Sequence, residues 1–272
     1  MRVLLIVITV LVGVTLGHRA DSRESPRSET IHTIEPLTVY EVRTPPVTLP
    51  NYQTSGTYVQ VASDRVDLMS VNATLRNAVL SSQRHYARYV RENVMPRVPM
   101  IFEPPYPFRG VYRTSPRLRL ISASTLVVSV LIPLERRVPG GTGSATWLAA
   151  TVQIPSGSRV GLLQLFSEPT RGLRALASEA KRQVLASNAC VRASFENPIG
   201  RRLNARGFAP RVRNYQRFGL TSTGIAVGFP QGRIGGGSCG SVLTIVRYEA
   251  IRPFLSTLGE RLVAGIRNPR RK

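Results

Sequence analysis

The sequence predicts an α+β fold: antiparallel sheet with a long β-hairpin, and two to three amphipathic helices packed on it. Three observations carry this. Apolar residues recur at helical spacing in two separate stretches, 75–94 and 169–188. Two strand-like runs, 126–134 and 145–154, face each other across the Gly-rich turn 136–143. Strands and helices are interspersed without regular βαβ alternation.

From the N-terminus, Met1-Arg2 precedes an apolar run, Val3 to Leu16. That run fits a secretory signal and is short for a membrane span. Small residues at Thr15 and Gly17 place cleavage after Gly17; an uncleaved anchor is the alternative. Either way the body of the chain is expected to be exported, secreted or extracytoplasmic. Residues 18–55 are rich in Pro, Ser, Thr and Glu and read as a flexible linker.

Residues 56–155 form an expected N-terminal part. Tyr58 to Ala62 alternates like a strand. Leu75, Val79, Tyr86, Val90 and Asn93/Val94 then give the apolar stripe of a helix of about 20 residues, ended by Pro96. Asn72-Ala73-Thr74 fits a glycosylation pattern but reads as the helix N-terminal cap region. Arg117 to Ile121 is a further strand, and 126–154 the long hairpin. Residues 156–266 form the expected C-terminal part. Pro169 to Asn188 is a helix with Leu173, Leu176, Ala180 and Val184 as its stripe. Phe208 to Val246 reads as strands, with Ser222-Thr223-Gly224 as a tight turn, and Ala250 to Gly265 as a final helix. Residues 267–272 are a basic tail.

The chain has 272 residues and a formal net charge of +22. Of its 37 basic residues, 32 lie from Gly56 onward, against ten acids, so the charge belongs to the folded body. All but Lys181 and Lys272 are Arg. Such a surface attracts polyanions, and Arg grips phosphate and carboxylate bidentately; a compositional bias toward Arg is the alternative. Arg84, Arg88 and Arg91 on the first helix, and Arg201, Arg202, Arg211 and Arg213 before residue 214, are the candidate anion-binding residues. Export turns the expected partner away from nucleic acid and toward an anionic envelope polymer, lipid head groups or a protein ligand.

Two cysteines, Cys190 and Cys239, in an exported chain predict one disulfide, with two buried thiols as the alternative. Three scattered histidines do not suffice for a metal cage, and no cofactor is implied. Gly236-Gly237-Ser238-Cys239-Gly240 matches G-x-S-x-G, but a strand rather than a helix is expected next and no His follows Ser238. Gly235, Gly237 and Gly240 match G-x-G-x-x-G in an equally unsuitable context. No catalytic residue is assigned.

Asn214-Tyr215, Phe218, Thr221, Gly224 and Phe229-Pro230 follow a definite order: Asn-Tyr-x-x-Phe, a Thr, a turn with Gly, then a strand ending in Phe-Pro. With Val128-Ser129-Val130, Ser156-Gly157 and Leu163 to Phe166, this resembles the RsiV-like extracytoplasmic domain family over roughly residues 56 to 262. That family includes the outer part of the anti-sigma factor RsiV and a secreted immunogenic antigen of mycobacteria, and the pattern here is nearer to the antigen. Three polar family positions differ. The hairpin reads Gly140-Gly141-Thr142-Gly143-Ser144 with no His, Val152-Gln153-Ile154 lacks the usual aspartate, and Gln231 follows Pro230 where the family has Tyr. The resemblance implies a secreted or envelope-associated binding protein without enzymatic activity; a secreted hydrolase of the esterase or glycan deacetylase type is the alternative.

Overall fold

The structure is a computed structural model that describes residues 28–34, 37–49, 52–97, 110–114 and 120–267. Its elements are β1 (Ser28–Ile34), β2 (Leu37–Arg43), β3 (Thr48–Leu49), β4 (Tyr52–Ser55), β5 (Thr57–Ala62), α1 (Met69–Tyr89), β6 (Gly110–Thr114), β7 (Leu120–Ala123), β8 (Val127–Arg137) and β9 (Gly143–Gln153). There follow α2 (Pro169–Ser187), α3 (Ala189–Ser194), α4 (Pro198–Phe208), α5 (Val212–Tyr215), β10 (Phe218–Leu220), β11 (Gly224–Phe229), β12 (Val242–Arg247), α6 (Tyr248–Ile251) and α7 (Thr257–Arg267). A π-helical turn, Val90–Val94, extends α1, and a 3-10 turn spans Leu162–Leu165. The fold is α+β, as the sequence predicts.

Three sheets form. One is ordered β1-β2-β5 and another β10-β11-β12, both antiparallel. The third is β3-β4-β6-β8-β7, with β9 along the other side of β8 and one parallel pairing, β4 with β6. The predicted hairpin is therefore the spine of the molecule, with Val127 opposite Gln153 and Arg137 opposite Gly143. Alternation along it feeds two cores. Val128, Val130, Ile132, Ala150 and Val152 pack with Val71 and Leu75 of α1. Leu131 and Trp147, on the opposite face, pack with Ala226 of β11. The backbone N–H of Leu220 donates to Ser129 Oγ (2.7 Å), which pairs with Thr151 Oγ1 (2.8 Å), so buried hydroxyls also join the C-terminal sheet to the hairpin.

Helix α1 buries Val71, Leu75, Val79, Gln83 and Ala87, a four-residue repeat that keeps one face on the sheet. It starts earlier than the sequence predicts, which moves Asn72 off the cap. Asn72 Oδ1 accepts from the Val61 N–H and its Nδ2 donates to the Val61 carbonyl, both 2.8 Å, so the side chain occupies a slot on the edge of β5. Its amide nitrogen is thus engaged rather than presented to a glycosyl donor.

Four of the sequence expectations are corrected. Residues 28–55 are not a flexible linker: β1 to β4 lie within them, and Leu37, Val39, Val42 and Tyr52 are core residues. Pro45 and Pro46 separate β2 from β3 instead of preventing strands. The stretch between Asn188 and Tyr215 is helical. Asn188 Oδ1 caps α3 through the Val191 N–H (2.9 Å), and Asn197 Oδ1 caps α4 through the Ile199 N–H (2.8 Å), with Pro198 in the first turn. The opening Asn214-Tyr215 of the strand-turn-strand motif closes a helical turn rather than a strand. The final helix is broken: Arg252–Phe254, carrying Pro253, ends α6, and Ser256 Oγ restarts the chain by accepting from the Gly259 N–H (3.0 Å). Arg267, assigned to the tail, is the last residue of α7 and pairs with Glu249 at 3.7 Å. The signal 1–17 and tail residues 268–272 lie outside the described residues. Among the described residues no helix is long and apolar enough to cross a membrane.

Tyr52, Tyr86 and Tyr112 cluster between α1 and the third sheet, and Tyr215 and Tyr248 are buried in the C-terminal core. Desolvation pushes all five phenols above the ordinary value, Tyr112 to about 12. The folded state therefore favours the neutral phenol. Its contribution is complete below the ordinary pKa of about 10 and is lost as pH rises through the raised values. The urea midpoint is expected to fall steeply above pH 10. The five phenols are expected to titrate, by near-UV absorbance, only as the protein unfolds. Nine tyrosines ionising together near pH 10 with the midpoint unchanged would contradict this.

Candidate functional site

The residues of the Asn-Tyr-x-x-Phe motif serve the fold. Asn214 Nδ2 donates to the carbonyls of Arg206 and Ala209 (2.9 Å each), and the Tyr215 hydroxyl donates to the Phe208 carbonyl (2.8 Å), fastening α5 to the end of α4. Thr221 Oγ1 donates to the Gly224 carbonyl (2.8 Å) and accepts from the Gly224 N–H (3.0 Å), closing the hairpin turn. A Cβ on Gly224 would stand 2.1 Å from the Val246 carbonyl oxygen, so β12 can approach only a glycine. Phe229 stands edge-on to both Phe208 and Tyr215 (5.6 Å), Phe218 is buried in the same core, and Pro230 is half-buried. These motif residues therefore build the C-terminal core.

Ser238 is exposed in the 3-10 turn Gly237–Cys239, and the strand β12 follows it, so the strand-to-helix turn of a nucleophile elbow is not built. Cys239 in that turn is bonded to Cys190 on α3, as predicted. Among the described residues no three His, Cys, Asp or Glu side chains come close enough to hold a metal ion.

The candidate arginines fall into two groups on different elements. Arg84 and Arg88 are exposed on α1 and Arg91 in the turn beyond it, on the helix that packs on β5 and β9. Arg201 and Arg202 are exposed on α4, which packs on α2 and α3, and Arg211 and Arg213 flank and line α5. Beside the second group, Ile199 and Leu203 stand exposed one helical turn apart.

Sequence reasoning missed a different set: Arg136, Arg159, Arg217 and Arg233. A cleft of about 590 Å³ runs between β9 and the α5–β10 segment, with Trp147, Ala149, Arg159, Val212 and Arg217 among its walls. Arg217 sits there half-buried. Desolvation holds its guanidinium below the ordinary Arg range, and Arg136 and Arg233 nearby push it further the same way. It remains a cation at neutral pH. No hydrogen bond or ion pair of its guanidinium is found among the described residues, where the acids that do pair are on other elements.

The rest of the wall is also short of partners. Trp147, the single tryptophan, is 7% exposed and its indole N–H has no acceptor among the described residues. Its ring lies flat on β11, where a Cβ on Gly228 would come within 2.4 Å of it. Outside the cleft lining, Arg136 Nε is buried with no hydrogen-bond partner among the described residues, its guanidinium lying 5.3 Å from the Tyr86 ring centroid. Buried polar atoms ordinarily find partners. A donor-rich wall with one desolvated, unanswered cation is suited to bind a carboxylate or phosphate.

No family model matches this chain, and no curated protein is similar to it. Solved structures are similar to it, among them the following two. A member of the DUF3298 family from Bacteroides fragilis superposes with a TM-score of 0.54 at 12% identity, covering 85% of this chain and 98% of that one. A DUF3298 family protein from Pseudomonas aeruginosa gives 0.49 at 10% identity, covering 86% and 96%. At such identity the likeness concerns architecture, and on the first of the two the chain shares the fold of a DUF3298 structure, a domain of unknown function.

Proposed function

We propose that this protein is an extracytoplasmic, non-enzymatic binding protein that holds an anionic ligand in the Arg217 cleft. The observation that carries the reading is Arg217 itself, a half-buried guanidinium within electrostatic range of two others, with no carboxylate to answer it among the described residues. Retaining an uncompensated, desolvated charge costs stability, and a ligand that supplies the counter-charge accounts for it. Export is supported by the apolar N-terminal run and by a disulfide suited to an oxidising compartment. The sequence resemblance to RsiV-like domains and to the mycobacterial antigen of that family points the same way.

The ligand chemistry is phosphate or carboxylate, carried on an envelope polymer, on a lipid head group or on a protein. Trp147 reports on the cleft directly. Its fluorescence is to be followed while inorganic polyphosphate, poly-glutamate or phosphatidylglycerol vesicles are added across a salt series. A saturable change with a polymer at low salt, weakening steeply as the Debye length shrinks below about 10 Å, is the expected result. A response to vesicles alone would assign the lipid source. Silence with all three at low salt would overturn the reading.

A further inference from the structure

One edge of β9 pairs with β8; the other is open for part of its length. Every second residue of β9 turns its backbone to that outer edge. Ala145 does so, bonding through both N–H and carbonyl to Gln231 (2.8 Å each). Arg159 Nη2 donates to the Ala149 carbonyl (3.0 Å), and the Val160 N–H donates to the Thr151 carbonyl (2.8 Å). By the same parity the N–H and carbonyl of Trp147 and the N–H of Ala149 face outward. No hydrogen bond to them is found among the described residues. The cleft lies along this open stretch. An unpaired strand edge is a template for a further strand.

Resting on the anion reading above, we propose that the occupant of the cleft is a short extended peptide segment of a partner protein, added as a strand to β9. From Ala145 to Thr151 the edge spans about 20 Å at about 3.3 Å per residue, room for roughly three to five residues between the Gln231 and Arg159 ends. The two walls dictate a pattern. Side chains of an added strand alternate between the faces of the sheet. On one face they meet Ala78 of α1 and Leu148, both apolar. On the other they meet Arg217, whose carbonyl accepts from the Gly228 N–H (2.8 Å) and so holds it to the C-terminal sheet. The segment recognised is therefore alternately apolar and acidic. The groove between α2 and β12 makes no such demand, because Glu179 is hydrogen-bonded to Arg182 and also faces Arg247.

The test uses a blocked pentapeptide alternating valine and glutamate, with Trp147 fluorescence as the readout. Two derivatives are N-methylated, one at the valines and the other at the glutamates. An added strand turns only one parity of N–H toward β9. One derivative is therefore expected to lose at least tenfold in affinity and the other to bind like the parent, while the lysine counterpart fails to bind. As a second arm, Ala149→Pro removes an outward N–H that the β8 ladder does not use. It is expected to weaken the parent peptide at least tenfold while circular dichroism stays that of the native protein. If both methylated peptides bind like the parent, strand addition is overturned and the anionic cleft stands. If polyphosphate binds and the parent peptide does not, strand addition is again overturned. If neither moves the signal, the anion reading falls and this proposal with it.

Discussion

Arg217→Met is expected to lose binding of anionic ligand by tenfold to a hundredfold and, at the same time, to make the unliganded protein more stable by about 1 kcal/mol. The two effects have one cause. In the free protein the guanidinium is half-buried, is repelled by Arg136 and Arg233, and has no partner among the described residues. Methionine keeps much of the length of the aliphatic stem, fills the same space beside Val212 and removes the charge. Solvent screening at a half-exposed site limits the gain. With ligand present the balance reverses, since a charge-assisted hydrogen bond contributes roughly 1.5–3 kcal/mol, which sets the loss of affinity. Arg217→Lys retains the charge but not the planar fork and should fall between. Trp147 titrations give the affinities and urea midpoints the stabilities. A variant destabilised by 1 kcal/mol or more would mean that Arg217 is structural, and the cleft would lose its case as a binding site.

Much of the fold was legible because its periodicities are local. The four-residue repeat of Leu75 and Val79 and the Gly-Gly turn between two apolar runs are read correctly from a dozen residues at a time. The misses share a cause. In 28–55 the strands are short and Pro and Thr are frequent, yet the alternation was there in Leu37, Val39 and in Tyr52, Thr54, all buried. The helices after Asn188 are too short for an apolar stripe. Their signal is the caps, Asn188 and Asn197-Pro198, which a search for periodicity passes over. Pro253 likewise announced the break in the last helix.

The site was less legible than the fold, for a physical reason. Exposed arginines on helices are conspicuous in a sequence, but exposure leaves them solvated and individually weak. What distinguishes Arg217 is partial burial with no hydrogen bond or ion pair of its guanidinium among the described residues, a property of packing. Arg136, Arg217 and Arg233 lie far apart in the chain. They come within electrostatic range of one another because Gly228 pairs with the Arg217 carbonyl and Gln231 pairs with Ala145. The one sequence hint was position: Arg217 lies inside a motif whose other members are core residues, where a cation has no structural use.

Joint replacement Cys190→Ser and Cys239→Ser is expected to cost about 4 kcal/mol of stability, the chain-entropy value for a cross-link spanning 49 residues, and to lower Tm by on the order of 10 °C for a chain of this size. Cys190 is exposed and Cys239 half-buried, so serine opens little cavity and the loss measures the cross-link. The bond is one of several fastenings on the loop after β11, which Gln231 also ties to Ala145. Asn204 Oδ1 also accepts from the Gly235 N–H, and a Cβ on Gly207 would stand 2.0 Å from the Arg233 carbonyl oxygen, so α4 lies directly on the loop. Arg233 belongs to that loop and lies within electrostatic range of Arg217. Releasing the bond should therefore weaken polyanion binding as well as stability, with the unreduced wild type as reference. A loss below 1 kcal/mol with binding intact would show that Asn204 and the Gly207 contact alone fix the loop. The arginines would then be set by the sheet pairing of β11 rather than by the disulfide.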